Sequence, residues 1–358
     1  QSGSTSEPAA VRFCAAALSS IGVVDWVTTR SNWAFGGDCP TVPGLSSRAM
    51  NRALAAPYSV CGIPMTVHIP VLAAEIMQAL DLHPGQVAVD GTLGGGGHTR
   101  LFAEAVGASG RVFALDRDPQ AVAATAPTLP ANVTAIHANY AELPEVLSGL
   151  QIPAVDAILL DLGLSSDQLA DSERGFSFRA EGELDLRFDP TRGQPAWALL
   201  ERIREEELAN LIYEYGEERK SRLIARRICE ARRVRPIRLA PELADLVRSC
   251  VPRSRKNPID PATRTFQALR IAVNEELKWL EQSLAHFPQL LRPGGKLAII
   301  SFHSLEDRLV KHRFREHPLL EVLTKKPILA GAEELLANSR SRSAKLRIAR
   351  RVGVKESS

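Results

Sequence analysis

The sequence predicts a doubly wound, Rossmann-like α/β sheet interrupted by an inserted all-helical segment. Three observations carry this. Five short apolar runs, QVAVD (86–90), RVFALD (111–116), NVTAIH (132–137), VDAILLD (155–161) and KLAIISF (296–302), have the composition of parallel strands buried on both faces. Helical patterns fill the gaps between the first three runs, around 99–106 and 119–126. Between Asp161 and Lys296 the pattern changes to long, charged helices.

Taken in order, the first 64 residues differ in character from the rest of the chain. They are rich in Ser, Ala and Pro and lack a sustained period of 2 or 3.6. The stretch VRFCAAALSSIGVV has a secretory flavour, but Ser19, Ser20 and Gly22 interrupt it and only Arg12 precedes its apolar part. Four Arg, three acids and nine Ser are compatible with a mitochondrial transit segment without marking one. The simplest expectation is an upstream extension over 1–64, disordered and dispensable, because regular patterning begins with MTVHIPVLAAEIMQAL at Met65. Residues 65–168 and 262–358 then make the sheet domain, and 169–261 make an inserted loop and a basic helical subdomain that faces the substrate.

Composition bounds the function. With 358 residues, 45% hydrophobic and 24% charged, the chain can bury a full core, and no apolar run approaches the ~20 residues of a membrane span. The five cysteines, Cys14, Cys39, Cys61, Cys229 and Cys250, are scattered and never form C-x-x-C. That argues against a disulfide framework, a zinc site or an iron–sulfur cluster, and favours a reducing, cytoplasmic setting with no metal.

The first strand runs into VDGTLGGGGHTR (89–100). Glycines at a strand-to-helix turn let backbone approach a ligand, and the helix start offers free N–H groups. Neither nucleotide fingerprint fits: the third glycine of G-x-G-x-x-G is replaced by Thr99 or Arg100, and no G-K pair follows. Asp116, closing the second strand, is placed to accept both hydroxyls of a ribose. A nucleoside bearing a carboxylate instead of phosphates satisfies both facts, and S-adenosylmethionine is the common one. Asp90, Asp116 and Asp161 put three carboxylates along one rim. On this reading Asp116→Ala weakens cofactor binding with little loss of folding.

Net charge is +3, but residues 219–256 hold 13 Lys or Arg against Glu230, Glu242 and Asp245, so that segment is +10 and the remainder −7. A solvated helix face usually alternates signs; this one does not. Arg222, Arg226, Arg227, Arg232, Arg233, Arg235 and Lys256 are the candidate contacts to a nucleic-acid phosphate backbone.

The blocks HIPVLAAEI, DGTLGGGGH, ALDRDPQA, ILLDLGLSSDQLADSERGFSF, ELDLRFDPTRGQ, YGEERKSRLIARRI, PATRTFQALRIAVNEEL, LRPGGKLAIISFHSLEDRLVK and RSRSAKLRIA resemble, in order, those of the ribosomal RNA small subunit methyltransferase H family, from about Val67 to Arg350. The resemblance implies a Rossmann-like S-adenosylmethionine-dependent methyltransferase acting on the exocyclic N4 of a cytidine in the decoding region of 16S ribosomal RNA. It implies donor binding by Gly96, Gly97, His98, Asp116, Tyr140, Asp161 and Gln168; Tyr140 stands where relatives carry Phe, and either ring stacks on adenine. Monomer and homodimer both remain open. Two other readings stand beside it: an N-methyltransferase acting on DNA, and a non-catalytic RNA-binding assembly protein that keeps the pocket only as structure.

The chemistry agrees with the inventory. No cysteine falls in a rim motif to activate carbon 5 of cytosine, and no cysteine cluster supports radical transfer. Direct displacement remains, in which the protein aligns nucleophile, methyl carbon and departing sulfur. The D-P-P-Y-like motif of many amino-methyltransferases is replaced by DLGLSS (161–166). Asp161, Ser165 and His303 are therefore the candidate catalytic contacts, His303 fitting equally a structural role. In PATRTFQALRIAVNEEL, helical spacing separates an apolar stripe, Phe266, Leu269, Val273 and Leu277, from a polar one, Arg264, Gln267 and Asn274. The polar stripe fits either a face turned to the site or RNA or a merely solvated one; the resemblance favours the first.

Overall fold

The computed structural model describes residues 70–165, 168–169, 171–177, 182–251 and 259–353. The expectations for residues 1–64 and for Lys256 lie outside the described residues. Five parallel strands, β1 (Val87–Asp90), β2 (Arg111–Asp116), β3 (Val133–His137), β4 (Val155–Asp161) and β5 (Leu291–Ser301), are completed by β6 (Leu320–Val322) and β7 (Lys345–Arg351). Their order is β3-β2-β1-β4-β5-β7-β6, with β7 antiparallel to both of its neighbours. Strand order reverses between β1 and β4, the switch point at which open α/β sheets bind ligands.

The strand sequences explain the layering. All four residues of β1 and five of seven in β4 are buried, so both faces need cover. On one face lie α1 (Ala73–Leu80) and α2 (Gly97–Val106), which bring Ile76, Leu80, Phe102 and Val106 against Ala88, Leu159 and Ile300. After β2, α3 (Pro119–Thr125) is started by Asp118, whose side chain accepts the Gln120 N–H, with Pro119 at its first position. The opposite face carries α4 (Leu143–Gly149) and two later helices. The edge strand β3 is only half-buried, which corrects the expectation of cover on both faces there.

Between β4 and the next sheet helix lie an irregular segment and α5 (Ala196–Arg202), α6 (Glu205–Gly216), α7 (Ser221–Val234) and α8 (Ala240–Cys250). Their apolar stripes share a core of their own, including Leu208, Ile212, Ile224, Ile228, Leu243 and Val247. The next helix, α9 (Ala262–Asn274), adds Ala262, Phe266 and Leu269 to that helical core. It leads into α10 (Glu276–Leu290), which covers the sheet with Leu280, Leu284 and Phe287, beside Phe314 of α11 (Ser304–Glu316). Each such fully buried Leu or Phe contributes roughly 1.5–3 kcal/mol. The short α12 (Ala332–Ala337) precedes β7. Among the described residues no helix is long and apolar enough to cross a membrane.

Candidate active site

The carboxyl ends of β1, β2 and β4 open into a cavity of about 120 Å³. Register places the rim acids side by side: Asp90 pairs with Ala114 of β2 and Leu159 of β4, and Asp116 with His137 of β3. Their roles differ. Asp90 lies behind the wall and holds both ends of the glycine turn, accepting from the Thr92 N–H (3.1 Å) and from Thr99 Oγ1 (2.6 Å). Burial pushes its pKa up to about 7, against the pull of those bonds.

Asp116 faces the cavity. Its Oδ2 accepts the Gly94 N–H (2.8 Å) and its Oδ1 the Asp118 N–H (2.9 Å). Burial lifts its pKa to about 6, with these two amides pulling the other way. The same amides explain the turn's composition: Gly94 (φ 46°) and Gly96 (φ 74°) sit in the left-handed region. A Cβ at Gly96 would lie 2.8 Å from an Arg100 guanidinium nitrogen and 2.9 Å from Thr125 Cγ2.

Gly97 and His98 begin α2 on the cavity wall, where first-turn N–H groups have no helical partner. The His98 ring is buried, and among the described residues neither of its nitrogens has a hydrogen-bond partner. Burial, then the nearby Arg340, lowers its pKa to about 4, so it is neutral at pH 7. Its Nε2 lies 3.9 Å from Asp161 Oδ2. An orphaned neutral imidazole beside free amides and an aspartate fits the amino-acid end of S-adenosylmethionine, and Asp116 fits its ribose.

Asp161 takes the Gly163 N–H at 3.2 Å, and its own N–H donates to Thr92 Oγ1 at 2.7 Å, which ties the ends of β1 and β4 together. Burial raises its pKa; the Gly163 amide and Arg340 act against that. Ser165 and Gln168 bond each other twice: the Ser165 N–H donates to Gln168 Oε1 and the Gln168 N–H to Ser165 Oγ, both at 3.0 Å. Tyr140, buried on the wall, has its hydroxyl pKa raised by burial.

The cavity therefore brings together Gly97, His98, Asp116, Tyr140, Asp161, Ser165 and Gln168. It does not include Gly96, which turns back towards Arg100, or His303. His303 caps α11, its Nδ1 accepting the Glu306 N–H at 3.3 Å; its buried Nε2 lies 3.0 Å from Glu306 Oε1 without the alignment of a hydrogen bond. What reaches the wall from that side is Glu306, with Glu276 of α10. Burial pushes Glu306 up, but His303, Arg270 and the Phe302 amide outweigh it and leave it below its ordinary pKa. Arg270 holds Glu276 through both oxygens, at 2.8 and 2.9 Å. Glu276, His303 and Glu306 bring ligand-type atoms within 4.8 Å of one another, yet both Glu276 oxygens are already engaged by the Arg270 guanidinium.

Sequence reasoning passed over Glu276, Glu306, Arg117, Phe188 and Arg340 on this wall. For Glu306 a signal existed, since the spacing of His303 and Glu306 is that of a capping box. The polar stripe of α9 divides: Asn274 is buried and Gln267 half-buried, both bonded to backbone carbonyls, whereas Arg264 stays exposed. Asn274 accepts the Phe188 N–H (2.9 Å) and donates to the Leu186 carbonyl (2.7 Å); Gln267 donates to the Tyr215 carbonyl (3.0 Å) and Arg264 to that of Glu217 (3.3 Å).

The basic face of α7 is exposed at Arg222, Arg226, Arg227 and Arg233, with Arg235 following it, while Arg232 is half-buried and bonded to the Leu200 carbonyl. Its charge is partly answered in space. Arg226 lies 3.8 Å from Glu205, Arg227 3.3 Å from Glu230 and Arg235 2.5 Å from Glu242.

A family model described as the MraW methylase family matches residues 65–352. The chain belongs to the MraW methylase family. A "Ribosomal RNA small subunit methyltransferase H" of Rhodopirellula baltica is 49% identical over 300 residues, covering 80% of this chain and 92% of that protein. One of the same description from Sorangium cellulosum is 50% identical over 289 residues, covering 80% and 91%. A third, from Deinococcus radiodurans, is 47% identical over 295 residues, covering 82% and 93%. As an MraW methylase, the chain has its glycine turn, Asp116, Asp161 and Gln168 within the matched span.

Proposed function

We propose that this MraW methylase transfers a methyl group from S-adenosylmethionine to the exocyclic N4 of a cytidine in the decoding region of small-subunit ribosomal RNA, in the cytoplasm where that subunit is found. The observation that carries the reading is the orphaned, neutral His98 between the first-turn amides of α2 and Asp161, at the end of the sheet where Asp116 awaits a ribose.

Bound there, the donor supplies an already activated sulfonium methyl, so the protein's task is alignment and dryness. Gly97 and His98 hold the donor's amino-acid end, Asp116 its ribose, Tyr140 its adenine face, and the Ser165–Gln168 pair keeps the loop after β4 closed on it. Cytosine N4 is a poor nucleophile because its lone pair is conjugated into the ring. An acceptor for its hydrogens favours the pyramidal form, and Asp161 and Ser165 supply that contact on the β4 side. Glu276 and Glu306 add carboxylates to the lining, Glu306 near enough to Asp161 to help raise its pKa. His303 acts through Glu306 as a positioning residue. The exposed arginines of α7 are assigned to the RNA backbone.

The test is tritium transfer from labelled S-adenosylmethionine to small subunits from cells lacking this methylation, followed by nucleoside mass spectrometry. N4-methylated cytidine at a single decoding-region position is expected. Donor binding without transfer to subunits or free ribosomal RNA would overturn the assignment and favour DNA or a non-catalytic role.

A further inference from the structure

A second concavity lies away from the cavity, between α11, β6 and β7. Lys311, Arg315, Lys325 and Arg347 line it, with Thr324 and the buried ring of Phe314 at its floor. Four cations and no carboxylate make up its charged lining. Arg347 alone is answered: its Nε donates to Asp307 at 2.7 Å, and that same carboxylate is also shared with Lys345 at 3.7 Å. Lys311, Arg315 and Lys325 form no hydrogen bond or ion pair with any described residue.

Like charges gathered round a concavity repel one another and focus a positive potential into it, so the site is relieved by an anion. The contrast with α7 is informative, because there Glu205 and Glu230 already pair with Arg226 and Arg227, and Glu242 with Arg235 just beyond the helix. Position points to the anion. The same helix that presents Glu306 to the donor cavity carries Lys311 and Arg315 five and nine residues further on, roughly 8 and 14 Å along its axis at ~1.5 Å per residue. No exposed aromatic ring lines the groove, so it offers a base nothing to stack on and offers a phosphate three free cations.

We propose that this groove binds backbone phosphates of small-subunit ribosomal RNA flanking the methylated nucleotide, forming a second RNA contact separate from α7. The proposal rests on the RNA-methylating reading above. It is tested on the full chain by filter binding to in vitro transcribed small-subunit ribosomal RNA across a range of KCl, comparing wild type with Lys311→Ala/Arg315→Ala/Lys325→Ala. Three lost phosphate contacts lower the slope of log affinity against log salt by about 2, at ~0.7 per contact on single strands, and weaken binding at low salt by about tenfold or more. S-adenosylmethionine affinity stays at the wild-type value, and Lys311→Arg/Lys325→Arg keeps the wild-type slope. An unchanged slope and affinity in the triple alanine variant, with wild type binding RNA normally, would overturn the groove alone. A wild type that binds donor but no RNA would overturn the functional reading and the groove together.

Discussion

Replacing Asp116 by Asn separates the residue's two tasks. In the folded chain each carboxylate oxygen already accepts a backbone N–H, from Gly94 and from Asp118. Asn keeps one acceptor and turns an amide NH2 towards the other N–H, so one partly buried donor loses its partner at a cost of about 1–3 kcal/mol of stability. Ala would strand both amides, which is why the expectation of little folding loss for Asp116→Ala does not survive the geometry. For the donor, two hydroxyl bonds to a carboxylate become one bond to a neutral amide, a loss of about 1.5–3 kcal/mol. That corresponds to roughly 10- to 150-fold in Kd. Calorimetric titration of S-adenosylmethionine, run beside thermal unfolding, reads the two costs independently. Donor affinity within about twofold of wild type, in a variant that unfolds earlier, would leave Asp116 a turn-holding residue and refute the ribose assignment.

The raised pKa of Asp116, about 6, gives a second expectation: the ribose hydroxyls favour the anion, so donor affinity falls by up to about tenfold per pH unit below 6 and is level above 7. A flat titration from pH 5 to 8 would contradict it. Asp90, at about 7, binds its proton more tightly folded than unfolded, so it costs stability progressively as pH rises from about 4 through 7. Asp90→Asn removes that cost, and because the Thr99 hydroxyl can turn to accept from the new NH2 no backbone donor is stranded as at Asp116, so the variant is stabilised by about 1–4 kcal/mol at pH 8 but not at pH 4; equal shifts in denaturant midpoint at both pH values would refute the account. Arg270→Met leaves Glu276 buried and unpaired, a loss of about 3–5 kcal/mol that Arg270→Met/Glu276→Met largely recovers in urea titrations. A double variant as unstable as the single one would show that packing, not charge, is what Arg270 provides.

The parallel strands were legible because two-sided burial writes an uninterrupted apolar run, as in Ala157–Leu160, and because Asp90, Asp116 and Asp161 each end one. β7 was not legible, since KLRIARR carries four charges in seven residues; Arg347 is nevertheless buried, its charge met by Asp307 of α11. The start of β5 was hidden by Arg292–Pro293–Gly294, which reads as a turn, although Leu291 pairs with Val155 before the register shifts. On the site, local signals found residues near the glycine turn. Glu276 reaches the wall only through the placement of α10, and no local pattern announces that. The charge run of α7 was legible along the chain, but its pairing with Glu205 of α6 was not, because that contact exists only in space.

Placing β7 between β5 and β6 has a consequence for synthesis. Residues 291–301 leave the ribosome well before 345–351, so the outer edge of β5 has no strand to pair with until the end of the sheet's sequence has been translated. The donor-binding half, β1 to β4, can assemble during that interval, whereas β6 can join only through β7. A nascent chain stalled before residue 345 therefore presents an open apolar strand edge, the kind of edge that invites pairing with another chain.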